Sequence, residues 1–167
     1  MHSNEDEETE RRQARRGALT LDQVLDAFEH SKEEHVLGSR STEAELTRLE
    51  QALGSTLPRS FRRFLTRLGG GLFFRGHEIF GTRRVMIHDI ELVPDILSVC
   101  RTLEAQGVEI PQGTIPFHRA RGTIHFMQLD GALGAGRIVA IPPGEPCPSF
   151  ESFLEIVVLP RLALPRP

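Results

Sequence analysis

The stretch that decides the fold of this chain is residues 49–74, which read LEQALGSTLPRSFRRFLTRLGGGLFF. Pro58 presets the backbone of a first helical turn, and apolar residues then recur at helical spacing: Phe61, Phe64, Leu65 and Leu68. Three consecutive glycines, Gly69 to Gly71, end this helix and favour a sharp reversal into a strand at residues 72–74. A phosphate-binding loop is the rival interpretation, but such a loop opens a helix and here the glycines close one.

Two helices are predicted upstream of this stretch. Thr20 with Gln23, and Thr42 with Glu45, have the spacing of capping boxes, and apolar residues follow each pair at helical spacing. The second helix ends at Gly54, a residue that accepts a left-handed backbone. We expect one contiguous core between these helices and the sheet, formed by Leu53, Leu57, Phe61, Phe64 and Leu65.

Short strands dominate the sequence that follows. Three runs predict a meander over residues 72–74, 78–80 and 84–87. A helix is predicted over residues 90–106, with Pro94 in its first turn. Two strands, over 113–118 and 123–129, flank a turn at 119–122, and a third follows at 137–141. A final helix is capped by Ser149. Short loops between consecutive strands imply antiparallel pairing, so the fold class is α+β, a mostly antiparallel sheet packed against N-terminal, middle and C-terminal helices.

Composition supports one globular domain and argues against nucleic-acid binding. The chain has 167 residues, of which 39% are hydrophobic, and 20 Lys+Arg face 23 Asp+Glu, a net charge of −3. That balance lacks the basic surplus that phosphate neutralisation requires. Residues 1–17 carry acids and then arginines with almost no apolar residue, so we predict a flexible charged tail followed by a single domain over 18–167.

Cysteine usage and hydropathy favour a cytoplasmic protein. Cys100 and Cys147 are the only cysteines and form no CxxC pair, which is typical of a reduced compartment, although one disulfide between them stays open. The N-terminus has no apolar leader segment, and no apolar run approaches the length of a membrane span. We therefore expect no membrane association.

Histidines are the candidates for chemistry. Four lie in the β-rich half, and a zinc or general-base site would need them to converge near a carboxylate such as Glu78, Asp89 or Asp130: His77, His88, His118 and His125. His118 and His125 are predicted to face each other across the 119–122 turn, where a plain surface pair is the commoner arrangement. No HExxH or GxSxG motif occurs, so we predict no metal, no cofactor and no enzymatic activity. A small metal-dependent hydrolase using His118 and His125 is the alternative.

Arginine supplies nearly all of the positive charge, since Lys32 is the only lysine. Four arginines surround the third predicted helix: Arg59, Arg62, Arg63 and Arg67. Arginine favours bidentate pairing and is enriched at protein interfaces. A solvated helix face is the equally simple interpretation.

The order of residues in 49–74 resembles the opening of the SUKH superfamily, the domain of fungal cell-wall regulators and many bacterial toxin-immunity proteins. That opening has an acidic residue before Leu-Gly, then Leu-Pro, an aromatic, a Phe-Leu pair and a glycine-rich helix end. Here those places are held by Glu50, Leu53-Gly54, Leu57-Pro58, Phe61, Phe64-Leu65 and Gly69 to Gly71. Later landmarks are similar with looser spacing, and the resemblance spans about residues 19–162: Ile79-Phe80-Gly81, Ile115-Pro116-Phe117, Gly122, Asp130, Ser149-Phe150 and Phe153-Leu154.

The resemblance implies a single SUKH-like domain that binds proteins and is not an enzyme. The expected partner is a cognate bacterial toxin, which the protein would bind and neutralise, with no direct role for nucleic acid. An intracellular regulatory scaffold of the same family is the alternative. Loops vary while a scaffold stays constant, so we expect partner binding at charged residues in exposed loops of the β-rich half: Arg75, His77, Glu78, Arg119, Arg121 and Asp130.

Overall fold

The structure is a computed structural model that describes residues 20–129, 136–141 and 147–158. The helices are α1 (Leu21–His30), α2 (Glu43–Leu53), α3 (Arg59–Arg67), α4 (Ile96–Ala105) and α5 (Phe150–Phe153). The strands are β1 (His35–Leu37), β2 (Gly71–Phe73), β3 (His77–Ile79), β4 (Val85–Ile87), β5 (Ile90–Val93), β6 (Thr114–Ala120), β7 (Thr123–Gln128) and β8 (Ile138–Ile141). A 3₁₀ turn (Lys32–Glu34) precedes β1, and a π-helix (Leu154–Val158) follows α5. The predicted tail, residues 1–17, lies outside the described residues.

The helix starts predicted from capping patterns are confirmed. Thr20 caps α1 and Thr42 caps α2, each in a reciprocal capping box with the residue three positions later. Gly54 ends α2 in a left-handed conformation with φ 70°. α3 begins directly after Pro58. Local hydrogen bonding therefore decides where these helices begin and end.

A six-stranded antiparallel sheet forms the centre of the domain. Its strand order is β1-β2-β3-β6-β7-β8, and β4 and β5 form a separate two-stranded hairpin. The α+β fold with a mostly antiparallel sheet is thus confirmed. The meander prediction is correct for β2 and β3 but wrong for β4, which pairs only with β5 among the described strands.

The helix predicted over 90–106 is wrong in its first turn. Residues Ile90–Val93 form β5, and α4 begins at Ile96 with Asp95 as its cap. Proline disfavours helical backbone in the residue before it, so Pro94 keeps Val93 extended. Pairing with β4 then buries Val85 and Val93 opposite each other.

Two further differences come from strand pairing. β1 is a three-residue strand that sequence reasoning missed, and it exists through its pairing with β2. β6 runs to Ala120, so the predicted four-residue turn is the two-residue turn 121–122. Short strands of this kind depend on a neighbour for their hydrogen bonds, and a local pattern does not reveal the neighbour.

Phenylalanine rings fill the core between helices and sheet. Four of the five expected core residues are buried, namely Leu57, Phe61, Phe64 and Leu65, and Leu53 is half-buried at the border. Phe61 lies 5.9 Å from Phe117 of β6 and 5.2 Å from Phe150 of α5, measured between ring centroids. Edge-to-face contacts of this kind join α3, the sheet and α5 into one unit.

Arginines of α3 form ion pairs with α1 and α2. Nε of Arg67 donates to Glu29 of α1 at 3.0 Å, and Nε of Arg62 donates to Glu50 of α2 at 3.0 Å. These arginines thus pair within the chain. Cys100 and Cys147 are both free thiols. No helix in the described ranges is long and apolar enough to cross a membrane.

Candidate functional site

Two tight turns meet at one end of the six-stranded sheet. Glu78 of β3 lies opposite Arg119 of β6 in antiparallel register, so the start of β3 lies beside the end of β6. The β2–β3 turn, residues 74–76, and the β6–β7 turn, residues 121–122, therefore lie side by side. We call these two turns together the turn end of the sheet.

Both turns hold non-glycine residues in left-handed backbone conformations. Phe74 and Arg75 have φ of 48° and 58°, and Arg121 has φ of 48°. Two central residues with positive φ are typical of hairpin turns, whose twist matches that of the strands. A non-glycine residue in this region costs about 1–3 kcal/mol and persists only where its surroundings hold it. The turns present the exposed side chains of Arg75 and Arg121.

His35 supports the first turn from below. Its Nδ1 lies 3.3 Å from the backbone nitrogen of Phe74 and accepts a hydrogen bond from it. The same N–H also donates to the carbonyl oxygen of Glu34 at 3.1 Å. Nε2 of His35 lies 2.9 Å from Oγ of Ser31, whose hydroxyl donates to the carbonyl of Ala27. These contacts assign the proton of a neutral imidazole to Nε2. Burial lowers the pKa of His35, which favours this neutral form.

Three more histidines form a hydrogen-bonded row across β3, β6 and β7. Nδ1 of His77 lies 3.0 Å from Nε2 of His118, and Nδ1 of His118 lies 3.0 Å from Nδ1 of His125. The predicted pairing of His118 with His125 is confirmed by the strand register. The expectation of a plain surface pair is wrong, because His118 is 0% exposed. We call His77, His118 and His125 the histidine row.

The histidine row is covered by the C-terminal helix. The ring of Phe153 in α5 lies 4.9 Å from the rings of both His118 and His125. Desolvation, followed by the neighbouring His125 and His77, lowers the pKa of His118 to about 2. Burial and then His77 lower the pKa of His125 as well. His118 and His125 therefore favour their neutral forms at physiological pH.

The geometry of the row does not favour metal binding. Both ring nitrogens of His118 are engaged with neighbouring imidazoles, whereas a metal site needs nitrogen lone pairs that converge on one point. Among the described residues, no group of three or more His, Cys, Asp or Glu side chains is arranged to hold a metal ion. The hydrolase alternative based on His118 and His125 gains no support from this arrangement.

Glu78 and Arg119 pair on the opposite face of the sheet, because neighbouring residues of a strand point to opposite faces. Nη2 of Arg119 donates to Glu78 at 2.8 Å, and Nε donates to the other carboxylate oxygen at 2.5 Å. The guanidinium also lies 5.7 Å from the ring centroid of Phe80. A groove of about 300 Å³ between β5, α4 and the sheet adjoins Arg119.

The six predicted binding residues thus separate into groups. Arg75 and Arg121 lie on exposed turns, as expected. The expectation of an exposed loop is wrong for Glu78 and Arg119, which lie in β3 and β6, are half-buried and form one ion pair. The expectation that His77 lies in an exposed loop is wrong: it lies in β3 and is 5% exposed. Asp130 lies outside the described residues.

Sequence reasoning missed two features of this half of the molecule. His35 was not singled out, because its contact with Phe74, 39 residues away, arises only through the fold. The β4–β5 hairpin was also missed. It carries the large apolar side chains that are most exposed in the described part of the chain: Met86, Ile87 and Ile90. Two short apolar runs, 85–87 and 90–93, separated only by His88 and Asp89, were the available indication.

Comparison with known proteins relates the sequence of this chain to one family. The sequence matches the profile of the SMI1 / KNR4 family (SUKH-1) over residues 40–156, more than half of the chain. A crystal structure of a protein from Pseudomonas syringae pv. tomato has a similar fold, with a TM-score of 0.60 and 18% sequence identity. The similarity covers 81% of this chain and 98% of the other, and at this identity it shows the fold alone. No curated protein matches the sequence.

Proposed function

This chain belongs to the SMI1 / KNR4 family (SUKH-1), and from that membership we propose that it is an immunity protein without enzymatic activity. In this proposal it binds a cognate bacterial toxin domain in the cytoplasm of the producing cell and blocks that domain's active site. The observation that carries the proposal is the turn end, where Arg75 and Arg121 stand exposed on two adjacent turns. Fold alone does not decide function, so the surface has to supply the argument.

Rigid presentation makes the turn end suited to protein recognition. Each turn is closed by strand pairing, and the β2–β3 turn is closed by the bond from Gly76 nitrogen to Phe73 oxygen at 3.2 Å. Side chains on such turns lose little backbone entropy on binding, because the backbone is already ordered. Preorganised arginines pair bidentately with carboxylates. We therefore propose a partner that presents acidic groups to Arg75 and Arg121.

The proposed interface extends from the turn end toward the Glu78–Arg119 pair. Arg119 is 42% exposed and Glu78 is 19% exposed, so the pair sits at the border of the accessible surface. A specific interface buries about 800 Å² on each partner, which is more than two turns provide. Asp130 stays a predicted contact. His77 supports the surface from inside and is not proposed as a contact.

Charge reversal tests the proposed interface. The variants Arg75→Glu and Arg121→Glu are co-expressed with a candidate toxin domain, sought first in the neighbouring gene, and protection and affinity are measured. Arg137→Glu is the matched control, because Arg137 is exposed and precedes β8 at the opposite end of the sheet. We expect at least a tenfold loss of affinity for the turn variants and no change for the control.

Other outcomes redirect the proposal. Undiminished binding by folded Arg75→Glu and Arg121→Glu proteins would exclude the turn end. A loss of binding caused instead by Ile90→Glu would place the interface on the β4–β5 hairpin. Failure of the wild-type protein to bind the neighbouring toxin would favour the regulatory scaffold of the same family.

A further inference from the structure

Four histidines of the described chain are concentrated around the turn end. His35 holds the β2–β3 turn, His77 follows that turn directly, and His118 and His125 lie on the two strands that flank the β6–β7 turn. His77 and His118 are buried, and His35 and His125 are half-buried. Histidine is the side chain whose charge changes most readily near physiological pH. We propose that the turn end is a pH-sensitive element, in which protonation of these imidazoles opens the two turns.

The histidine row has room for one additional proton and no more. Two N···N hydrogen bonds hold one proton each, and the outer nitrogens of His77 and His125 hold at most one each. This makes four protons, whereas three neutral imidazoles carry three. A second added proton leaves two N–H groups facing each other at 3.0 Å. The row therefore loses a hydrogen bond on its second protonation.

A proton on His118 is unfavourable, because its ring is buried in the middle of the row. The titratable groups that act on His118 are His77 from β3 and His125 from β7, and both are imidazoles. The other rings packed on His118 are uncharged, Phe117 of its own strand and Phe153 of α5. Among the described residues, no carboxylate stabilises a positive charge on His118. A buried charge without a partner is costly.

His35 responds to protonation through a different contact. Nδ1 of His35 accepts a hydrogen bond from the backbone N–H of Phe74. When Nδ1 is protonated, two N–H donors face each other and this hydrogen bond is lost. Phe28 of α1 and Phe73 and Phe74 of the β2 side surround the ring. Burial lowers the pKa of His35 and outweighs the charge and the backbone carbonyl of Glu34, which both favour the protonated form. Protonation therefore removes one of the two hydrogen bonds of the Phe74 amide, which keeps the bond to the carbonyl oxygen of Glu34 at 3.1 Å, and so weakens a turn that is already strained.

The direction of the pH effect follows from these shifts. The closed state holds His35, His118 and His125 with pKa values below the ordinary value near 6.5, and the opened state releases them to that value. The closed state therefore has its full stability above pH 6.5, and its stability relative to the opened state decreases as the pH falls below that value. The equilibrium constant for opening rises by up to about tenfold for each pH unit and each proton taken up.

Hydrogen exchange on the whole protein tests this proposal. Protection factors of the amides of Phe74 and Gly76 are measured between pH 7.5 and 4.5 and compared with that of Leu46 in α2, whose amide donates to Thr42. We expect protection at Phe74 and Gly76 to fall at least tenfold between pH 6.5 and 5, while protection at Leu46 stays constant. Constant protection at all three, or an equal fall at all three, would overturn the proposal.

Variants separate the histidines from other acid effects. Glutamine donates and accepts hydrogen bonds without titrating, so His35→Gln and His118→Gln should flatten the pH profile. His88→Asn is the matched control, since His88 is exposed in the β4–β5 turn, and its profile should follow the wild type. If a glutamine variant fails to fold, the imidazole ¹⁵N chemical shifts of the wild-type protein test the proposal instead. Protonation of His118 above pH 6 in those spectra would contradict it.

The consequence for partner binding rests on the proposed function. If the turn end binds the toxin, affinity falls below pH 6 in the wild type and less steeply in His35→Gln. Opening without any toxin binding at neutral pH would refute the proposed function alone. Binding at neutral pH without acid opening would refute only the inference drawn here from the histidines.

Discussion

Oε1 of Glu50 accepts a hydrogen bond from Nε of Arg62 at 3.0 Å and a second from the backbone nitrogen of Leu57 at 3.3 Å. One carboxylate oxygen thereby joins α2, the loop that follows it and α3. The side chain of Glu50 is 17% exposed, so water competes little for these bonds. Glu50, the acidic residue ahead of the Leu-Gly pair, therefore has a structural role: it connects α2 to α3.

Replacing Glu50 with Ala should lower the free energy of unfolding by about 1.5–3 kcal/mol, the range for hydrogen bonds to charged groups. The change leaves the Leu57 amide without its partner. Urea denaturation measures the loss. Glu43→Ala is the control, since Glu43 also pairs with Arg62 but is 71% exposed, and we expect about 0–1 kcal/mol there. Equal losses in the two variants would contradict the proposed role of Glu50.

Phe64→Ala should destabilise the protein by about 3–5 kcal/mol, the range for truncating a buried phenylalanine. Phe64 is 0% exposed and contacts the rings of Phe28, Phe61, Phe73 and Phe150. Thermal and chemical denaturation check the value. Thr66→Ala, an exposed change on the same helix, should stay within about 0.5 kcal/mol. A loss below 1 kcal/mol for Phe64→Ala would mean that the site collapses around the missing ring.

Two left-handed glycines should respond differently to alanine. Gly54 and Gly69 have φ of 70° and 73°, but a Cβ on Gly69 would lie 2.3 Å from the carbonyl oxygen of Ser39, whereas one on Gly54 meets nothing within 4 Å. Gly54→Ala should therefore cost about 1–2 kcal/mol, the conformational term alone. Gly69→Ala should cost clearly more or prevent folding. Unfolding midpoints measured side by side give the difference, and equal midpoints would refute the close approach of Ser39.

Deleting residues 1–17 should leave the melting temperature unchanged. That stretch holds five acids and four arginines and offers no apolar stripe that would dock on the domain. The measurement is a thermal melt of the shortened and full-length chains by far-UV circular dichroism. A drop of several degrees would show that the stretch contributes to the folded domain.

Helix boundaries were the part of this fold that a local pattern predicts well. Thr20 and Thr42 each bond a residue three positions away, so the whole interaction lies within one short window. The start of α4 was missed because the alternative for residues 90–93 is a strand paired with β4. Strand pairing depends on a partner elsewhere in the chain, and periodicity over four residues does not identify it.

The candidate site likewise combines features that a local pattern predicts with features that depend on strand pairing. Arg75 and Arg121 were expected on exposed turns, since glycine-containing segments between short strands predict turns. Their position side by side follows from the pairing of β3 with β6, which are separated by β4, β5 and α4 in the chain. Burial of His77 was not predictable, because it depends on that pairing and on neighbouring packing.

The sequence by itself determined the composition of the core, the capped helices and the α+β class, because capping boxes, apolar spacing and glycine stops act over three to seven residues. Only the tertiary structure decided that His77 and His118, 41 residues apart, share a hydrogen bond. It likewise decided that His35 holds the turn at Phe74, 39 residues away. Such contacts form when strand order closes long loops, and the free energy that selects one order is shared by the whole core.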